Sequence, residues 1–293
     1  MKITGLTIIR NAVINDYPIV EAIGSILPVV DEMIVTIDRG TDDTEALIRS
    51  IGSPKIKIHF TEWDMNLREG GQVLAVETNK ALQYVSADTD WVFYIQADEV
   101  LHEKYIPAIL AAAKKYKDDK AVDGLLFRYK HFYGTYDFVG DSRRWYDCET
   151  RIIRNDKSIS SYRDAQGFRR GEEKISVAAI DAAIYHYGWV KSPGQMKKKM
   201  KDVSHFWVKD DAELEAARSS PDFWDFNEFD SLEKFTGTHP AVLQQRILQK
   251  NWHLDLDISK KKFSLKDKLL YWVEKLTGKR LFAFSNHRVV RKG

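Results

Sequence analysis

A short apolar stretch that runs directly into two acids constrains this chain more than any other feature. Residues 91–95 are Trp-Val-Phe-Tyr-Ile, a run typical of a strand buried on both faces of a parallel sheet. Asp98 and Glu99 follow at its carboxyl end, the rim where open α/β sheets bind ligands. Both acids are therefore placed to hold a divalent cation, with a ligand's phosphates completing the shell. Alternatively, they only begin the next helix, where acids favour the positive end of the dipole.

The composition indicates a globular chain with room for a sizeable core. Of the 293 residues, 44% are hydrophobic and 30% are charged. The net charge of +2 is too small to indicate nucleic acid as a partner. The single cysteine, Cys148, excludes an internal disulfide and favours a reducing compartment. We find no signal peptide and no run near the roughly 20 apolar residues of a membrane span, so we expect a cytoplasmic protein.

Strand and helix patterns alternate through the first hundred residues. Strands are predicted at 3–9, 33–37, 55–60 and 91–95, and helices at 16–30, 45–51 and 72–85. This order predicts a parallel sheet with right-handed crossovers. Further along, a helix is predicted at 105–116 and strands at 124–133, 149–154 and 178–186, in an antiparallel or mixed region. From about residue 197 the pattern is mainly helical, ending with a helix at 265–276.

Polar residues follow three of the predicted strands at one sheet edge. Arg10 and Asn11 follow the first strand, Asp38 follows the second, and Asp98 follows the fourth. Two acidic strand ends in one sheet suggest a nucleotide site, with Asp38 accepting hydrogen bonds from a base or ribose and Asp98 holding a metal on a diphosphate. The competing role for Asp38 is that of a turn or cap residue.

These residues resemble a known family. The runs Arg10-Asn11-Ala12, residues 30–35 and residues 38–44, followed by Asn79-Lys80-Ala81-Leu82, are similar to the opening of family 2 glycosyltransferases with the GT-A fold. The resemblance is specific over residues 3–102 and weaker to about 205. It implies a GT-A fold, a Rossmann-like mixed and mostly parallel sheet flanked by helices. We therefore predict a catalytic domain at 1–205 and a mainly helical, basic extension at 206–293 packed on it.

The resemblance also implies a reaction and a set of site residues. A sugar would pass from a nucleotide-sugar donor to a glycan or lipid-linked acceptor hydroxyl, with inversion at the anomeric carbon, in cell-surface polysaccharide or lipopolysaccharide synthesis. The implied cofactor is a divalent cation, Mn or Mg, held by Asp98 and by His186, for which a buried core histidine is the alternative. The implied donor-nucleotide contacts are Arg10, Asn11, Asp38, Asn79, Gln96 and Ala97.

Two features of the site stay open at this level. The family usually opens its metal motif with an acid, whereas this chain has Gln96, which predicts weaker metal binding or an unusual donor. The acceptor hydroxyl needs a base on the opposite face of the sugar ring. Candidates are Asp147, Glu149, Asp164, Glu172 and Glu173, and we favour Glu172 or Glu173.

Basic segments suggest further partners. Lysines 191, 197, 198, 199 and 201 either form a solvated face or contact the donor diphosphate or an anionic acceptor. Residues 260–293 carry eleven Lys and Arg against two acids. Their helix would either lie on an anionic membrane, at the inner face, or pack its apolar stripe on the catalytic domain.

Two other functions compete with the glycosyltransferase. A sugar-phosphate nucleotidyltransferase should have a glycine-rich loop after the first strand, and residues 10–15 contain no glycine. A non-catalytic GT-A-like module that binds a glycan or a partner is consistent with Gln96.

Overall fold

The computed structural model describes residues 1–219, 225–259 and 261–292, and these contain thirteen strands and eight α-helices. The strands are β1 (Ile3–Ile9), β2 (Glu32–Asp38), β3 (Ile56–Thr61), β4 (Trp91–Tyr94), β5 (Glu99–Leu101), β6 (Gly124–Tyr133), β7 (Phe138–Gly140), β8 (Cys148–Arg154), β9 (Ile159–Tyr162), β10 (Gly167–Arg170), β11 (Glu173–Trp189), β12 (Leu232–Lys234) and β13 (His287–Lys292). The helices are α1 (Ile19–Ile26), α2 (Thr44–Arg49), α3 (Gln72–Leu82), α4 (Ile106–Tyr116), α5 (Pro193–Val203), α6 (Asp211–Ser219), α7 (Gln244–Leu248) and α8 (Leu265–Thr277).

The first half of the chain forms a parallel sheet in the order β3-β2-β1-β4. Strand β4 is buried on both faces, as its composition predicts. Trp91 and Phe93 pack into one apolar core, whereas Val92 and Tyr94 pack into the other. Side chains alternate along a strand, so an uninterrupted apolar run must fill both faces. The carboxyl ends of β1, β2 and β4 therefore meet at one edge.

The second half of the chain makes the sheet mixed. Strand β8 joins the two halves, because it is antiparallel to both β4 and β6. Strand β11 pairs in parallel with β6 and antiparallel with β5 and β10. The predicted mixed α/β sheet flanked by helices is confirmed, and its parallel part lies where the strand–helix alternation is regular.

The part after residue 205 returns to the sheet instead of forming helices only. Strand β12 pairs with β7, and β13 lies parallel to β11. Neither strand was predicted, since β12 is only three residues long and β13 is rich in basic residues. The domain boundary at 205 stays a prediction. Within the described residues, no helix is both long enough and apolar enough to cross a bilayer.

Candidate active site

A cavity of about 550 Å³ opens at the carboxyl edge of the parallel strands. Its floor includes Arg10 after β1 and Gln96, Ala97 and Asp98 after β4. Strand β11, helix α5 and the loop between β7 and β8 form its walls. The cavity thus lies where the topology of an open α/β sheet places a ligand. It is also within the size range of small-molecule sites.

The carboxylate of Asp98 lies beside a histidine and a lysine in this cavity. Its Oδ2 lies 3.6 Å from Nε2 of His186 and 3.5 Å from Nζ of Lys199. Burial alone would raise the pKa of Asp98, but His186 and Lys199 outweigh it and hold that pKa well below its usual range. Gly188 makes room for this group, since a Cβ there would lie 2.5 Å from Oδ2 of Asp98 and 2.8 Å from Nε2 of His186.

His131 fixes the tautomer of His186. The strand register pairs the two histidines across β6 and β11, and their Nδ1 atoms are 3.1 Å apart. Nε2 of His131 lies 2.8 Å from the carbonyl oxygen of Tyr146, which can only accept, so this nitrogen carries the proton. Burial and the neighbouring His186 lower the pKa of His131 well below its usual value. Neutral His131 therefore accepts at Nδ1 from Nδ1–H of His186.

Because Nδ1 of His186 carries a proton, Nε2 is the ring nitrogen that faces the carboxylate of Asp98. An imidazole nitrogen beside a carboxylate oxygen is a ligand pair that suits a divalent cation, and the His131 contact resembles the outer-shell bonds that orient metal-ligating histidines. Across the described ranges, no group of three or more His, Cys, Asp or Glu could hold a metal alone. Asp98 and His186 therefore fit a divalent cation as its two protein ligands, and the bound ligand and water would supply the others.

Two buried lysines lie behind Asp98. Lys199 of α5 also donates to the carbonyl oxygen of Gly188 at 3.0 Å, and burial lowers its pKa against the opposing effect of Asp98. Lys191 donates to the carbonyl oxygen of Asp16 at 2.6 Å. Its burial, together with nearby Lys199, lowers the pKa of Lys191 to about 7. The predicted basic run thus divides, with Lys191 and Lys199 buried and Lys197, Lys198 and Lys201 outside the cavity lining.

Glu99, the acid that follows Asp98, does not face the cavity. Glu99 is fully buried and forms an ion pair with Arg151 at 2.8 Å. It also accepts from Tyr129 Oη at 2.7 Å and from the backbone N–H of Gln96 at 3.1 Å. The expectation that Glu99 shares the cation with Asp98 is therefore wrong, because its oxygens are used to hold the turn that presents Asp98.

Arg10 and Asp38 meet at the predicted edge, but they bind each other. They form an ion pair between the ends of β1 and β2, and the other oxygen of Asp38 accepts from Trp63 N at 3.0 Å. Arg10 lines the cavity, whereas Asp38 lines an adjacent recess. Asn11 adopts a left-handed backbone (φ 50°) and donates to Asp202 of α5 at 3.0 Å, which ties this edge to the helix.

The remaining predicted donor residues divide between the cavity and the scaffold. Gln96 and Ala97 line the cavity. The structure does not bring Asn79 there: on α3, it accepts from Ser161 N at 2.7 Å and so joins that helix to β9. An asparagine that satisfies a strand-end amide is part of the scaffold.

The favoured base candidates also lie outside the cavity lining. Glu172 and Glu173 lie at the exposed turn from β10 into β11, where Glu173 is the first residue of β11. Asp164 does line the cavity, and its Oδ1 is buried with no hydrogen-bond partner in the described part of the chain. Burial raises the pKa of Asp164. Glu149 is buried beside it, outside the lining, and burial raises the pKa of Glu149 to about 8.

Several cavity residues were missed from the sequence. His131 lies 55 positions before His186, and only the register of two long strands brings them together. Arg144, Trp145 and Tyr146 belong to an irregular loop, whose position no periodicity predicts. The one usable signal was the crowding of aromatic residues between 127 and 146.

Comparisons with known proteins identify the family. The sequence model described as Glycosyl transferase family 2 matches residues 17–192, more than half of the chain. The chain therefore belongs to glycosyl transferase family 2. The GT-A fold predicted from its sequence is confirmed.

Solved structures show more distant similarity. Residues 1–349 of Staphylococcus aureus TarS are 15% identical, with 69% of this chain and 64% of that chain covered at a TM-score of 0.38. Glucosyl-3-phosphoglycerate synthase from Mycobacterium tuberculosis, solved with Mn²⁺, uridine diphosphate and phosphoglyceric acid, is 22% identical, with coverages of 45% and 43% and a TM-score of 0.30. The chain thus spans less than two thirds of either protein. A search of curated protein sequences gives no match.

Proposed function

We propose that this protein transfers a sugar from a nucleoside-diphosphate donor to an acceptor hydroxyl, with inversion, in the synthesis of a cell-surface polysaccharide or lipopolysaccharide. The observation that carries the proposal is the group formed by Asp98, His186 and Lys199 inside the cavity. Such a charge arrangement matches a ligand with a diphosphate. The inverting course and the acceptor class follow from the family resemblance, and we place the reaction in the cytoplasm, at the inner membrane face.

The reaction needs charge stabilisation on one side of the sugar and a base on the other. The acceptor oxygen bonds to the anomeric carbon while the bond from that carbon to the diphosphate breaks, and the electron pair leaves with the nucleoside diphosphate. When bound, a divalent cation supplies positive charge to that leaving group, and Asp98 and His186 would hold it. Lys199 stabilises the negative charge of the same leaving group from the protein side.

Asp164 is the base that the geometry supports best. Its unpartnered Oδ1 within the described residues leaves an oxygen free to take the acceptor proton, and it lines the cavity. The other lining acids besides Asp98 have partners. Asp202 accepts from Asn11 and Asn15, and Asp230 accepts from Ser231 N. Glu228 is 77% exposed and pairs with Lys262 at 3.7 Å. Arg10, Gln96 and Ala97 remain the donor contacts that we propose from the predicted set.

The donor site is tested by thermal stabilisation. Nucleoside diphosphates of uridine, guanosine, cytidine and thymidine are added with and without Mn²⁺ to wild type and Asp98→Asn. We expect one nucleotide to stabilise the wild type by about 3 kcal/mol when it is roughly a hundredfold above its Kd, only with metal. Asp98→Asn should lose this effect.

A matched control uses the same substitution at an exposed acid. Asp118 lies just after α4, away from the cavity. The Asp118→Asn variant should therefore retain the full stabilisation by nucleotide and metal. If no nucleotide stabilises a well-folded wild type, the donor site is wrong. Retained glycan binding in that sample would favour the non-catalytic module, for which Gln96 is the supporting observation.

A further inference from the structure

Helix α8 has its apolar face turned to solvent. Leu265, Leu269, Trp272 and Leu276 recur at helical spacing and are 91%, 67%, 54% and 82% exposed. The apolar stripe of a surface helix normally packs on the core. Isolated exposed leucines need no explanation, but four on one stripe indicate an interaction surface. We call these four residues the α8 stripe.

Polar contacts on the opposite side hold α8 in this orientation. Tyr271 donates to Asp141 at 2.8 Å, and Lys275 pairs with the same carboxylate at 2.7 Å. Glu274 pairs with Arg143 at 2.6 Å. Because the polar side of the helix is engaged by the protein, the α8 stripe is left facing outward.

The surroundings of the stripe are basic and aromatic. Lys266, Lys268 and Lys279 are exposed and make no ion pair with any other described residue. Directly after the helix, Phe282 and Phe284 are 89% and 66% exposed. Leucine, tryptophan and phenylalanine beside lysines are the composition of helices that lie in the interface of an anionic bilayer.

We propose that α8 docks flat on an anionic phospholipid bilayer, with the α8 stripe inserted and its lysines on the headgroups. A second copy of the chain fits this face less well. A two-fold contact through the stripe would bring the same lysines of both copies together without compensating acids, since Asp267 is the one acid among residues 265–273.

Docking at this helix would bring the cavity to the membrane. Arg280, just after α8, donates to the carbonyl oxygen of Trp145 at 2.5 Å, and Trp145 lines the cavity together with Arg144 and Tyr146. The segment directly after the lipid-binding helix therefore holds one wall of the active-site cavity. Bilayer docking deepens the membrane placement of the proposed function by naming the surface responsible, and its test does not depend on the donor.

The test is vesicle flotation of the full chain. Vesicles are made of phosphatidylcholine alone or with about one third phosphatidylglycerol, at low and high salt. We expect wild type to bind the anionic vesicles, with binding weakened by salt. Leu269→Gln with Trp272→Gln should lower the bound-to-free ratio about tenfold or more. Lys266→Gln with Lys268→Gln should lower it about fivefold for each lysine.

The control and the overturning results are specific. Leu248→Gln removes a leucine that is 78% exposed on α7, away from the stripe, and should bind as wild type does. Unchanged melting temperatures would show that all variants fold. Absence of binding to anionic vesicles, or equal binding by the stripe variant, overturns the proposal. So does a wild-type dimer that the stripe variant converts to monomer without any vesicle binding.

Discussion

At the scale of single residues, the half-buried Asp164 and the neighbouring buried Glu149 have different roles. Asp164 reaches the cavity, whereas Glu149 is 6% exposed and does not line it. Burial raises the pKa of both carboxyl groups, and Arg151 partly opposes this for both. The charge of Asp164 adds to the rise in the pKa of Glu149. The two acids therefore lead to different predictions, one for rate and one for stability.

Asp164→Asn should reduce kcat by about a hundredfold or more, because the amide cannot take the acceptor proton. In wild type, kcat/KM should fall as the pH drops through the raised pKa of Asp164, since only the carboxylate is a base. Steady-state kinetics with the nucleotide sugar selected by the thermal screen would measure both effects. Glu172→Gln and Glu173→Gln, in the exposed turn, serve as controls and should leave kcat unchanged. A large loss in either control, with Asp164→Asn active, would return the base to that turn.

Glu149→Gln should stabilise the protein at alkaline pH. The folded-state pKa of Glu149 is about 8, against an ordinary value of 4.5, so the folded state binds the proton more tightly than the unfolded state. Stability from this group is complete below pH 4.5 and is lost as the pH rises to 8. The variant should gain a few kcal/mol relative to wild type across that window. Denaturant unfolding at pH 5 and pH 8 would measure the difference. An equal difference at both pH values would contradict the assignment.

At the scale of elements, the strand register builds the site. The register of the parallel strands β6 and β11 makes His131 and His186 direct partners. The bulge that follows in β11 places Gly188 beside Asp98. Gly188→Ala should weaken Mn²⁺ binding about tenfold or more, since its Cβ would displace Asp98 or His186. Isothermal calorimetry with Mn²⁺ and nucleotide would measure this. Gly194→Ala, whose Cβ would meet nothing within 4 Å, is the control.

The same scale shows what the sequence could predict. Strands β1, β2, β6 and β8 were located within a residue or two, because apolar, aromatic and β-branched residues are concentrated in them. Asp98 and His186 were identified as a pair because strand ends and family motifs mark them. Glu99, Asn79 and Asp38 look like ligands in sequence, yet they are engaged by partners far along the chain. Such pairings depend on tertiary register, which local pattern does not contain.

At the scale of the whole molecule, the chain after residue 205 should not unfold separately. Strand β13 pairs with β11, and α8 is bound to the loop between β7 and β8 through Asp141 and Arg143. We therefore expect one cooperative transition in calorimetry, with equal calorimetric and van't Hoff enthalpies. Two separated transitions would instead support the predicted boundary at 205 as that of an independent domain.

Strand β11 has four partner strands, so this wall of the cavity should open far less often than the wall formed by α5. Backbone amides around His186 can exchange with solvent only when a strand held by β5, β6, β10 and β13 opens, which requires nearly global unfolding. Helix α5, which carries Lys199, buries only Met196 and Lys199 and can open at much lower cost. Substrate should therefore enter and leave past α5 while the metal ligands stay fixed. Hydrogen exchange would then show bound nucleotide protecting α5 strongly and β11 hardly at all.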